Sequence, residues 1–333
     1  MHDFVGVGDV VSNDRLAWLS RRSDRLGLCQ LASHLGALAL CSYGLFLTWG
    51  STWWAAPLFF SQGVLINFLF ACQHETNHNT AFSTRWLNTW VSRLCGFVLL
   101  YPADYEKWLH FAHHRHTQVD GKDPELLMRP PFERPGQYLA LMSGLPFFYG
   151  RIRSLVRHAA GHVEGWYLTE DQKRLITKST RWHLVGYATI TLSAAWFESW
   201  WPLIYWLGPY MCTKWVYWIQ GIQEHLGLTH RNNTLLNTRT SEASAIMRWL
   251  NWNMTYHTVH HTFPAVPFHA LSKLHQEVTA TYEHALPSSS YWSFHYQLLR
   301  SLIAGKTEQA LVGESDQQLL DARPHRGPAR AQP

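Results

Sequence analysis

Apolar residues along this chain come in long blocks, not in short periods. Residues 29–50 form an uncharged apolar stretch in which His34 is the sole strongly titratable group. About twenty residues at ~1.5 Å each cross a hydrocarbon core of roughly 30 Å, so a transmembrane helix is predicted there. Residues 54–73 form a second such block, joined to the first by Gly50-Ser51-Thr52-Trp53, and the two make a hairpin. A second hairpin is predicted from 183–200 and 203–222, turning at Trp200-Trp201-Pro202, with Glu198 near the turn and Lys214 facing the bundle interior.

Shorter blocks lie between and after the hairpins. The run 91–103, interrupted by Arg93 and closed by Tyr101-Pro102, is too short to span and reads as a re-entrant or interfacial helix. A polar helix follows over DYEKWLHFAHHRHT, then a loop at 121–136 marked by Gly121, Pro124 and Pro130-Pro131, then a second interfacial run at 137–149. Residues 150–181 are basic and polar, and 226–300 read as a helical cap. The expected class is therefore an all-α integral membrane protein with four transmembrane helices in two hairpins, interfacial helices and a cytosolic helical cap. Residues 1–28 are a cytosolic segment, 29–300 the membrane domain, and 301–333 a polar tail expected to be disordered.

Composition sharpens this picture. Of 333 residues 47% are hydrophobic, only 15% are charged, and 18 are Trp, as in a chain partly dissolved in lipid with aromatic rings at headgroup level. Arg15, Arg21, Arg22 and Arg25 before the first span, and the basic residues before the third, place the N-terminus and the cap on the cytoplasmic side. A polar stretch this long before any apolar run does not read as a signal peptide. The formal charge of +5 forms no basic stripe interleaved with stacking aromatics, which excludes a nucleic-acid groove. Cys29, Cys41, Cys72, Cys95 and Cys212 lie mostly in apolar runs without paired spacing and read as small buried hydrophobes.

The chemistry lies in three histidine runs: HETNH at 74–78, HFAHH at 110–114 and HTVHH at 257–261. Positions i, i+3 and i+4 share a helix face, so each run aims its imidazoles one way. Neutral imidazole is a good ligand for Fe, Zn, Cu or Ni. Buried structural histidines or a histidine-rich surface explain one such run, but hardly three with similar spacing. HETNH alone also fits a zinc metalloprotease, with Glu75 as base. Yet His74, His78, His110, His113, His114, His257, His260 and His261 exceed the needs of one ion and point to two. Few carboxylates sit within the runs, which disfavours Mg²⁺ and Ca²⁺.

These runs, with HFAHHRHT and NMTYHTVHHTFPAVPF as their contexts, resemble the three histidine boxes of the membrane fatty acid desaturase superfamily over roughly residues 30–280. The resemblance implies a four-helix membrane bundle under a cytosolic cap, two non-haem iron ions, O₂ as co-substrate, and insertion of a double bond into a fatty-acyl or similarly hydrophobic chain. It also implies a further ligand near the end of the fourth span, which His225 in QEHLG matches, with His230 as a neighbouring alternative. Electrons would come from an external donor such as cytochrome b5, ferredoxin or rubredoxin with its reductase, since no nicotinamide fingerprint or ferredoxin-type cysteine run is present. The basic segment 173–181 is a candidate docking site for an acidic donor. The membrane would be the endoplasmic reticulum in a eukaryote or the inner membrane in a bacterium.

Other residues near the boxes carry two readings. Glu75 and Glu224 can accept the distal N–H of a ligand imidazole or be solvated charges. Asn253, four residues before His257, can hold a metal-bound water or serve as an ordinary cap. His116 lies outside the box triad and reads as outer or surface. His34, His183, His269, His275 and His284 lack cluster geometry and are expected to be structural. Pro264 and Pro267 are expected to end the third-box helix. Rival functions are a hydroxylase, ketolase or epoxidase on a lipid or hydrophobic metabolite, a two-metal hydrolase, and a membrane metal transporter or sensor. The transporter would be expected to carry its ligands near the bilayer midplane.

Overall fold

The computed structural model describes residues 10–231, 233–282 and 286–321. In chain order the helices are α1 (Asn13–Leu19), α2 (Asp24–Thr48), α3 (Ala55–Asn77), α4 (Arg85–Val98), α5 (Ala103–His116), α6 (Pro135–Met142), α7 (Leu145–Ala159) and α8 (Glu170–Trp196). A broken run follows, made of a π-turn segment (Leu203–Leu207), α9 (Gly208–Cys212), α10 (Lys214–Gly221) and a 3₁₀ turn (Ile222–Glu224). The remaining helices are α11 (Ala245–Leu250), α12 (His257–Thr262), α13 (Phe268–Thr281), α14 (Tyr291–Ile303) and α15 (Glu308–Asp321).

Helix α3 is the axis of the molecule, with α2, α4, α9 and α10 packed against it. It begins apolar and ends in Gln73-His74-Glu75-Thr76-Asn77, all buried. Its contacts with the main core run through Ile66, Leu69 and Cys72 to Cys95 and Leu99 of α4 and its C-cap, and to Tyr210. Helices α2 and α3 are each long and apolar enough to cross a bilayer. On α2 the outward side chains Leu40, Tyr43 and Phe46 are largely exposed, as are Leu192 and Trp196 on α8, an apolar surface suited to lipid.

The predicted span at 203–222 is not one continuous helix. Pro209 has no N–H for the carbonyl of Tyr205, and its ring cannot approach that carbonyl. The chain widens into a π turn, in which the Gly208 N–H bonds to Leu203 O, and Gln62 of α3 donates its Nε2 to the freed Tyr205 O at 3.0 Å. Asn67 Nδ2, one turn and a half further along α3, donates to Tyr210 O and to Thr213 Oγ1, both at 3.0 Å. In an apolar surround every such backbone group needs an internal partner, and these two amides supply them. Gly63 sits where the two elements meet, and a Cβ there would lie 2.1 Å from Pro209 O.

Other boundaries also moved. Helix α8 starts at residue 170, not 183, because Thr169 and Gln172 form a reciprocal capping box and Glu170 and Asp171 favour the positive helix N-terminus. The apolar run thus forms only its second half. The short run expected at 91–103 is α4, ending at Val98, and the single interfacial run at 137–149 is two helices hinged at Gly144, φ +74°. An all-helical chain was expected, but residues Thr240–Glu242 (β1) and Ser288–Ser290 (β2) pair as parallel strands, Thr240 opposite Ser288. The tail expected to be disordered from 301 is ordered to residue 321. Helix α14 runs to Ile303, and Glu308 opens α15 by accepting both Arg129 nitrogens at 2.8 and 3.1 Å and the Phe132 N–H at 2.8 Å. Residues 322–333 and His284 lie outside the described residues.

Candidate metal centre

The three histidine runs, distant in sequence, lie side by side. His74 is in the last turn of α3 and His78 is its C-cap, their ring centroids 5.0 Å apart. Helix α5 carries His110, His113 and His114 near its C-terminal end, and α12 carries His257, His260 and His261, all buried or nearly so. The 3₁₀ turn after α10 delivers His225 to the same place. Among the described residues His74, His78, His110, His114 and His260 each bring a ring nitrogen within 4.8 Å of the others, and His113, His225 and His261 form a second such group. His257 joins the second group, its Nε2 3.2 Å from that of His225 and 3.0 Å from that of His261. Its ring centroid stands 6.4 Å from that of His74 in the first group.

These spacings fit shared ions. Two imidazoles bound at right angles to an ion ~2.1 Å away have nitrogens about 3.0 Å apart. The Nε2 atoms of His110 and His114 are 2.8 Å apart, and those of His113 and His225 3.3 Å. Both ring nitrogens of His74 and of His260, and Nε2 of His78, are buried without a hydrogen-bond partner. Buried polar atoms are rarely left so, and a shared cation would take up one nitrogen from each of these rings. The donor set is wholly nitrogen, which suits a transition metal.

Outer partners orient the rings. His113 Nδ1–H faces both oxygens of the fully buried Asp123 at 2.9 Å. His225 Nδ1–H donates to Asn237 O at 3.1 Å, and His261 Nδ1–H to Thr117 Oγ1 at 3.1 Å, while that hydroxyl donates to His113 O. Glu125 lies 3.4 Å from His110 Nδ1, and Glu224 3.6 Å from His257 Nδ1. At His110, His225 and His261 the hydrogen bond fixes Nδ1 as the protonated nitrogen and leaves Nε2 with a lone pair, whereas Glu224 stands beyond hydrogen-bond reach of His257. Burial, helped by neighbouring imidazoles, pushes His110, His114, His257, His260 and His261 well below the usual histidine range, so they are neutral and able to ligate. Burial also lowers His225, to about 4. His113 differs: burial lowers it, but the Glu125 and Asp123 carboxylates outweigh that and raise it to about 9. Burial raises Glu224 and Glu106 each to about 8.

Beside the histidines opens a cavity of about 460 Å³, lined by His74, His110, His113, His225 and His257 together with Phe70, Tyr101, Tyr105, Phe147, Tyr217 and Trp218. Arg129 and Glu308 close part of its wall.

Not every expected neighbour takes part. The carboxylate of Glu75 accepts from Thr80 Oγ1 at 2.8 Å and from the Phe268 N–H at 3.2 Å, so it pins the start of α13 instead of an imidazole. Asn253 is not on the helix of His257; it sits at φ +57° and donates to Phe268 O at 3.1 Å, holding the same junction. His116 is outside both groups, its ring against Trp166. His230 pairs with Asp120 at 2.9 Å, away from the centre. Sequence reasoning missed Asp123, Glu125, Thr117 and Asn237. The one available signal was Asp123-Pro124-Glu125, two acids in a turn that begins nine residues past the second histidine run.

A helical chain that collects nine imidazoles beside an aromatic cavity carries side chains that could hold metal ions. This chain belongs to the fatty acid desaturase family, whose model matches residues 51–293. It is 28% identical over 230 residues to the sphingolipid delta(4)-desaturase/C4-monooxygenase of Bos taurus, a match covering 66% of this chain and 64% of that protein. It is 23% identical over 232 residues to the sn-1 oleoyl-lipid 12-desaturase of a Picosynechococcus strain, covering 67% of this chain and 55% of that protein. It is also 25% identical over 259 residues to the sphingolipid delta(4)-desaturase of Drosophila melanogaster, 74% and 72% of the two chains. The match thus spans a little under two thirds of the bovine relative. With its family and two bilayer-length apolar helices, the chain is a membrane protein.

Proposed function

We propose that this chain is an O₂-dependent oxidoreductase that introduces a double bond into a fatty-acyl or similarly hydrophobic chain. The observation that carries the reading is two adjoining groups of imidazoles sharing a wall with an aromatic cavity. His74, His78, His110, His114 and His260 would hold one iron ion, and His113, His225, His257 and His261 the other. Iron is favoured over zinc because removing hydrogen from an unactivated methylene exceeds acid–base chemistry, and the iron pair, when bound, supplies that oxidising power.

The chain's own residues do the positioning. Asp123, Thr117 and Asn237 hold Nδ1–H of His113, His261 and His225 and so aim their Nε2 lone pairs. The aromatic wall excludes water and holds methylenes against the histidines, where a misplacement near 1 Å can cost about a hundredfold in rate. Electrons would arrive from an external donor of the cytochrome b5, ferredoxin or rubredoxin type. The topology proposed with it is two hairpins with the histidines on the cytoplasmic side. Trp49, Trp53 and Trp54 at the first turn and Trp196, Trp200 and Trp201 at the second are suited to one interfacial level.

Hydroxylation at the same centre is the second reading, favoured by the bovine relative's name, which couples desaturase with C4-monooxygenase. Anaerobic purification with metal analysis, then aerobic turnover on a lipid library with a supplied reductase and donor, tests both. A product short of two hydrogens marks desaturation, and one gaining an oxygen atom marks hydroxylation. A protein that takes up no iron, or that moves metal without consuming O₂, refutes the proposal.

A further inference from the structure

The cavity contains a cation for which the proposed oxidation has no use. Arg151 of α7 lines it and is only 9% exposed. Its guanidinium carbon lies 3.0 Å from the centre of the Tyr101 ring and 4.7 Å from that of Phe147, while its Nε has no hydrogen-bond partner. Among the described residues no carboxylate forms an ion pair with it. Glu106, which shares the cavity wall, is engaged by Asn77 Nδ2, and Asn77 Oδ1 in turn accepts the Ser92 hydroxyl at 2.5 Å. Behind the aromatic wall Lys214, 3% exposed, sets its ammonium 3.6 Å from the Tyr217 ring centre and 4.0 Å from that of Phe147, again with no ion pair among the described residues.

Two cations thus sit in low-dielectric surroundings against ring faces, without an ion pair among the described residues; Arg151 also reaches the Tyr101 side chain and lies within the field of Glu106. A desolvated cation over a ring gains about 2 kcal/mol, whereas the cost of burying an unpaired charge is several times that. A planar guanidinium that lines a cavity without a carboxylate partner is matched best by one class of group, an oxyanion that accepts two N–H bonds. The rest of the wall is aromatic and takes hydrocarbon.

We infer that the cavity binds an amphiphile whose anionic head, a carboxylate or a phosphate, is held by Arg151 while its hydrocarbon lies on the aromatic wall. This rests on the reading of the cavity as the substrate site and narrows the substrate to a class.

The test is equilibrium binding to the full chain in nanodiscs of uncharged lipid, corrected with empty discs. The probes are dodecanoate, dodecyl phosphate and dodecanol, at a pH where the acid is ionised. The expected result is that at least one anion binds about tenfold or more tightly than dodecanol, and the tighter of the two identifies the head group. R151Q should bind all three alike, and R151K should keep part of the preference, since a point charge replaces the fork. Equal binding of alcohol and both anions by the wild type, or an undiminished preference in R151Q, overturns the inference. If R151Q does not fold, as judged by thermal unfolding, R151K decides, because a full preference there removes the guanidinium's role. The assay needs neither metal nor O₂. Oxidation of neutral chains without anion preference would sink the head-group site alone, whereas anion preference without iron uptake would sink the oxidase reading alone.

Discussion

Replacing Asp123 with asparagine tests how the second imidazole group is held. Both carboxylate oxygens lie 2.9 Å from His113 Nδ1, and they also accept the Gln118 N–H at 2.8 Å and the Glu125 N–H at 2.9 Å. Every neighbour is a donor. Asparagine keeps one acceptor oxygen and turns an NH₂ toward either the imidazole or a backbone N–H, so a donor–donor contact replaces a charge-assisted bond. Such a bond is worth about 1.5–3 kcal/mol, or roughly ten- to a hundredfold in affinity, the range found for outer partners of metal-binding histidines. Competition titration of Fe(II) against a chelator, with thermal unfolding alongside, reads the effect. One of two ions should bind ten- to a hundredfold more weakly while the other is retained. The metal-free pair adds a pH signature. His113 is raised to about 9, so its contribution to stability is full below the ordinary histidine value of 6.5 and lost as pH rises through about 9. Metal must displace that proton, so affinity should climb with pH up to about 9. Unchanged affinity at both ions, together with an unchanged pH profile, would refute the reasoning.

Three further outcomes are expected. His113→Ala and His260→Ala should each abolish oxidation while leaving membrane insertion intact, and full activity in both would remove them as essential ligands. Glu106 is raised by burial from 4.5 to about 8, so its contribution to stability is full below 4.5 and is lost as pH rises through about 8. Glu106→Gln should therefore unfold at a higher temperature than the wild type above that pH, and a parallel pH dependence in the two proteins would count against the assignment. Gly63→Ala places a Cβ 2.1 Å from a backbone oxygen and 2.5 Å from Thr213 Oγ1. It should cost about 1–3 kcal/mol of stability, and an unchanged melting temperature would mean that α3 and α9 do not meet this closely.

What could be read in advance depended on whether the cause was local. The spacing of His110, His113 and His114 on α5 is a property of helix geometry, and so is that of His257, His260 and His261 on α12, which ends at Thr262 ahead of Pro264. Hydropathy marks where chain can enter lipid but not where a helix starts, and so the polar first half of α8 went unread. The break at Gly208-Pro209 had a local signal that the apolar run concealed. Its repair by Gln62 and Asn67 is tertiary, and two polar side chains inside an apolar block carried no hint of their partners. Asp123 was invisible for a similar reason. A loop of turn-forming residues folds back to set one carboxylate against an imidazole on the preceding helix, and nothing in the spacing fixes that return. Glu75 misled in the opposite sense, since its place in a familiar pattern suggested chemistry while its carboxylate ties two helices together.

The clasp of Glu308 on Arg129 and on the Phe132 amide joins positions 179 and 176 residues apart. During translation the histidine-bearing helices are all made before the acid that seals this edge of the chamber. A nascent chain halted short of that point would hold its histidine clusters but present Arg129 without its counter-charge. Shortening the protein from the C-terminal side therefore has a threshold at residue 308, where loss of a peripheral helix becomes a breach in the chamber itself.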